Sequence, residues 1–103
     1  MSKEEVAEIA MQVIASAGEA RSKIHDALNM CLKKDFEKCE ELISEAEELI
    51  IEANKLTYNI LSAEAKGENI PITLLLIHAF DILMASIIER DLAKKIIQML
   101  KNC

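Results

Sequence analysis

His78 and Asp81 are the residues through which this sequence can most readily do chemistry. They lie three apart in LLLIHAFDILMASII, residues 74–88, where Ser86 is the only other polar side chain. At positions i and i+3 of a helix they share a face, with Ile82 and Ala85 on the same side. Three uses suit such a pair. An imidazole is a nucleophile that a nearby carboxylate can orient or stabilise once charged. The two groups can also bind a metal, although two ligands from one chain are too few for a site. In a symmetric oligomer, copies of Asp81 can converge on a cation. A plainer role also fits, in which a histidine inside an apolar helix is hydrogen-bonded to the aspartate beside it. His25, the only other histidine, lies among charged residues and reads as a surface residue.

The three cysteines, Cys31, Cys39 and Cys103, form neither CxxC nor a zinc spacing. An odd count without a secretory signal points to reduced cytosolic thiols. Cys31 and Cys39 read as small core residues, and Cys103 as part of a frayed C-terminus.

The elements that position these groups are three long helices. With 103 residues, two Gly, one Pro and three aromatic residues, the chain suits a single domain with an aliphatic core. Helix 1 is expected over about 3–34, opened by a Ser2–Glu5 capping box. Its apolar residues, from Val6 to Cys31, recur at spacings of three and four. Gly18 interrupts that stripe at a cost of roughly 1 kcal/mol against alanine, and the close approach of another backbone is the expected reason. Asp35 caps helix 2, expected over 36–66, with Gly67 as its stop. Pro71 fits the first turn of helix 3, expected over 71–101. Short connections make this an all-α, antiparallel three-helix bundle. Helix 3 is apolar nearly all round between Leu74 and Ile88, more than such a bundle can cover, so the sequence predicts a homo-oligomer with helix 3 at its centre.

A net charge of −6 disfavours nucleic acid and anionic membrane surfaces, and favours a basic protein partner. The charged ERD at 89–91 and the ionisable pair argue against a membrane span at 72–88.

Four segments in register, SAGEARSKIHDAL (16–28), DFEKCEELISEAEELIIEAN (35–54), AEAKGENIP (63–71) and LLLIHAFDILM (74–84), carry a resemblance. From about Val6 to Leu100 the chain resembles the enzyme IIA components of lactose/cellobiose-type sugar phosphotransferase systems. The resemblance implies a cytoplasmic phosphocarrier that forms a homotrimer. Its histidine accepts a phosphoryl group from HPr and passes it to a cysteine of the IIB component. The family motif His-Ala-Gln-Asp-His-Leu-Met reads here His78-Ala79-Phe80-Asp81-Ile82-Leu83-Met84, so the phosphorylated histidine maps to His78. Asp81 maps to the residue that, one from each of three subunits, binds a divalent cation, typically magnesium, at the trimer axis. Phe80, Ile82 and Ala85 replace the family's Gln, His and Thr, and in helix 2 the stretch Ala53-Asn54-Lys55-Leu56-Thr57 lacks the family's His and Gln, with Asn54 and Leu56 in their region. These replacements leave three readings open: an active carrier, an inactive relative, or an assembly module whose Leu56, Phe80, Ile82 and Ala85 face another protein.

Overall fold

Capping chemistry sets the three helices. In the computed structural model, which describes all of Met1–Cys103, α1 spans Lys3–Leu32, α2 Phe36–Ala65 and α3 Leu74–Lys101. Ser2 Oγ accepts from the Glu5 amide and the Glu5 carboxylate accepts from the Ser2 amide, both at 3.0 Å, which completes the expected capping box. The Asp35 carboxylate accepts from the Lys38 amide at the start of α2.

Both connections leave their helix through a Schellman turn. After α2, the Gly67 amide donates to Glu64 O and the Glu68 amide to Ala63 O, with Gly67 at φ 97. After α1, the Lys34 amide donates to Cys31 O and the Asp35 amide to Met30 O, with Lys34 at φ 66. A lysine thus holds the left-handed position that usually falls to glycine, and α1 ends at Leu32, before the predicted Lys34.

Helix α3 begins later than the sequence predicts. Thr73 is its N-cap, and Thr73 Oγ1 accepts from the Leu76 amide at 3.1 Å. Pro71 lies outside the helix, in the connection. Starting there would have made Ile70 the cap, and its side chain has no acceptor for a free amide.

Buried positions alternate at spacings of four and three: Val6, Ala10, Val13, Ala17, Ala20, Ile24, Ala27 and Cys31 on α1, and Cys39, Ile43, Ala46, Ile50, Ala53, Thr57 and Ile60 on α2. This is the period of helices that pack nearly antiparallel, side chain between side chains. Alanine recurs along both stripes and lets the axes approach. Helix α1 packs along both other helices, whereas α2 and α3 touch each other least. The result is a rod with principal extents of 51 × 19 × 18 Å. Cys31 and Cys39 are buried in the core at the α1–α2 connection, and Cys103 is exposed. Burial pushes the Cys39 thiol up to about 11.

Gly18 does not do what its position suggested. It faces solvent, and a Cβ built on it would meet nothing within 4 Å, so no backbone approaches it within the chain.

Candidate functional site

Helix α3 is divided lengthwise. Leu76, Ala79, Leu83 and Ser86 turn into the bundle, and Ser86 Oγ donates to Leu83 O at 2.7 Å. The opposite flank stays bare: Leu74 is 85% exposed, and Ile77, Met84, Ile88, Leu92, Ile96 and Met99 continue the apolar stripe along the helix. One chain therefore buries only part of the helix that the sequence marks as apolar all round.

His78 and Asp81 both lie on this bare flank and are exposed. The side-chain hydrogen bonds of the chain involve neither of them, nor do its ion pairs. The pair is thus not a hydrogen-bonded core couple. Its imidazole is reachable and its carboxylate has no competing partner. No group of three His, Cys, Asp or Glu side chains within the chain can hold a metal ion. Asp81 offers a single hard oxygen ligand group, which suits magnesium only when other copies supply more.

The four replaced positions sit differently. Leu56, Phe80, Ile82 and Ala85 are all half-buried, and the first three pack against the core formed by Val6, Val13, Ile60 and Leu83 among others. Phe80 and Ile82 thus serve the bundle's own packing as well as its rim. The freely exposed apolar side chains near His78 and Asp81 in the sequence are others, Leu74, Ile77 and Met84 among them.

Between α2 and α3 the loose contact leaves a groove of 790 Å³, lined by Ile51, Asn54, Lys55, Thr57, Tyr58, Asn59, Leu61, Leu83 and Met84. Thr57 is only 8% exposed, and its Oγ1 has no hydrogen-bond partner. An unpaired buried hydroxyl costs roughly 1–3 kcal/mol. Sequence reading missed this groove. Thr57 fits the apolar stripe of α2 by spacing, and only the separation of α2 from α3 shows that its hydroxyl lacks a partner.

His25 is exposed, as its sequence context predicts, but it is not alone. Its Nε2 lies 2.6 Å from Glu89 Oε2, and Arg21 Nε donates to the other oxygen of the same carboxylate. Two residues of α1 thereby clamp one of α3.

Three long helices with a bare apolar flank on the third define a small helical bundle with one face left uncovered, and comparison with known proteins narrows it. The sequence profile of the family described as "PTS system, Lactose/Cellobiose specific IIA subunit" matches residues 8–101. The lactose-specific EIIA component of the phosphotransferase system (PTS) from Staphylococcus epidermidis is 41% identical over 102 residues, covering 99% of this chain and 98% of that protein. Its counterpart from Streptococcus mutans is 36% identical over the same shares. Among solved structures, PtcA from S. mutans superposes with a TM-score of 0.96 at 29% identity, covering 98% of this chain and 99% of that one. The PTS cellobiose-specific enzyme IIA from Bacillus anthracis does so with a TM-score of 0.92 at 33% identity, over 99% and 92%. The chain belongs to the lactose/cellobiose-specific IIA family and is a component of a sugar phosphotransferase system. No helix is long and apolar enough to cross a membrane.

Proposed function

We propose that the chain is a cytoplasmic phosphocarrier in which His78 accepts a phosphoryl group from HPr and passes it to a cysteine of the IIB component. One observation carries this reading: the histidine that matches the family motif is exposed on α3 with its imidazole unengaged. A neutral ring nitrogen attacks phosphorus and forms a phosphoramidate as the donor's bond to phosphorus breaks and its electron pair leaves with the donor, and little other covalent chemistry falls to the protein. The apolar side chains beside it in the sequence, Leu74 and Ile77, help exclude water from the transfer.

The bare flank of α3 supports a homotrimer with this helix at the centre, since an apolar stripe of this length is rarely left to solvent. In that arrangement the three Asp81 carboxylates meet at the axis. They would repel one another there, and a magnesium ion held by all three would offset that repulsion.

Intact-mass measurement at neutral pH, after incubation with phosphoenolpyruvate, enzyme I and HPr, tests the transfer. One phosphate on the wild type, lost in His78→Ala, is the expected result. No transfer from HPr to His78, with the oligomer intact by native mass, would sink the carrier reading. An assembly module would then remain, with Leu56, Phe80, Ile82 and Ala85 at the rim of its protein interface.

A further inference from the structure

Within one chain, the imidazole best prepared for nucleophilic attack is His25. Its Nε2 is held by the Glu89 carboxylate at 2.6 Å, while the Arg21 guanidinium fixes that carboxylate from the other side. An ionised carboxylate only accepts hydrogen bonds, so Nε2 carries the proton and, in the neutral ring, the free lone pair lies on Nδ1. The His25 side chain is 64% exposed and Glu89 24%, so the nucleophile is accessible while its orienting group is largely sheltered. Arg21 lies four residues before His25, one turn away on the same face of α1. Its Nε is engaged with Glu89, and its two terminal amino groups remain as donors for phosphoryl oxygens.

We propose that His25 is a second phosphoryl-accepting site of this protein, with Glu89 as the residue that orients it and Arg21 as the residue that receives the phosphoryl oxygens. Its natural donor class, an N-phosphorylated imidazole, rests on the phosphocarrier reading above. The chemistry itself needs only a labile N–P bond. The Nδ1 lone pair forms a bond to phosphorus, the donor's N–P bond breaks, and its electron pair leaves with the donor nitrogen. The positive charge that the His25 ring gains is matched by Glu89 on Nε2–H.

Phosphoramidate, a small donor whose leaving group is ammonia, tests this without any partner protein. Wild type, His78→Ala, His25→Ala and Glu89→Gln are each incubated with it. Phosphate uptake is followed by intact mass, and the sites by peptide mapping at neutral pH. The wild type is expected to take up two phosphates, and His78→Ala one, at His25. Glu89→Gln is expected to slow uptake at His25 by roughly 10-fold or more while leaving the rate at His78 unchanged. No phosphate on His25 in either the wild type or His78→Ala would overturn the proposal while leaving the carrier reading intact. Phosphorylation of His25 in Glu89→Gln at the wild-type rate would also overturn it, because the imidazole would then react as any exposed histidine does. Uptake at His25 together with failure of HPr to phosphorylate His78 would support this site and count against the carrier reading.

Discussion

Thr57 on α2 and Leu83 on α3 line the same groove, and the Thr57 hydroxyl is buried there without a partner. Removing that hydroxyl while keeping the shape of the side chain should relieve its desolvation. Thr57→Val is expected to raise the stability of the chain by about 1 kcal/mol. Urea unfolding measures it. A loss of similar size would show that the hydroxyl finds its partner in the assembled protein.

The two faces of α3 should respond oppositely to charge. Ile88 and Leu92 are 58% and 56% exposed, whereas Leu83 is fully buried. Ile88→Glu or Leu92→Glu should leave a folded, soluble monomer by sedimentation and circular dichroism. Leu83→Glu, with an unpaired charge in the core, should not fold. A folded oligomer that survives both outer substitutions would refute the covered flank.

Gly18 meets nothing within its own chain. Gly18→Ala should therefore stabilise the protein by about 0.5–1 kcal/mol, the ordinary helix-interior difference between the two residues. A drop in melting temperature would place a neighbouring copy against this position.

How much of this was legible in the sequence depends on how far each feature reaches along the chain. The capping box at Ser2–Glu5, the Asp35 cap and the buried stripe of α1 are local or periodic, and all were readable; which side of α3 turns inward was not, because its first half is apolar nearly all round. The start of α3 was misread because Pro71 and Thr73 compete as opening signals, and the hydroxyl cap wins two residues later. Lys34 carries no side-chain sign of a left-handed backbone, since KKD contains no glycine. His25 and Glu89 are 64 residues apart and on different helices, so no spacing could join them. His78 and Asp81 were found because they interrupt an apolar run. That they share the exposed flank without touching through a hydrogen bond needed the fold.

Acid should weaken the α1 cap and one link between α1 and α2 in a defined window. Hydrogen bonds from Lys23 to Glu45, and from Ser2 to Glu5, hold both carboxyls below their ordinary value of 4.5. A carboxylate with a depressed value in the folded state contributes stability above its unfolded value, and that contribution is lost as pH falls through the folded one. Stability should therefore decline below about pH 4.5, and the Glu5→Gln/Glu45→Gln double variant should show a shallower decline. Urea midpoints measured across the acid range test this. Lys23 moves in the opposite direction, raised above 10.5 by the same Glu45 hydrogen bond, and its share is lost only in strong alkali.

A cation shared by three Asp81 carboxylates should be visible in heat stability. Chelator is expected to lower the melting temperature of the wild type by several degrees and that of Asp81→Asn by much less, since the amides no longer repel. Equal curves with magnesium and with chelator would remove the cation from the assembly.

The scant contact between α2 and α3 leaves the bundle as two helices leaning on a common third, with one side of its core unfinished. If other copies finish it, unfolding is no longer a reaction of one molecule: an assembled particle goes to several separate chains. The midpoint of such a reaction moves with total protein concentration. A dilute solution and a crowded one would then report different melting temperatures for the same sequence, and any single quoted value would be incomplete without the concentration beside it.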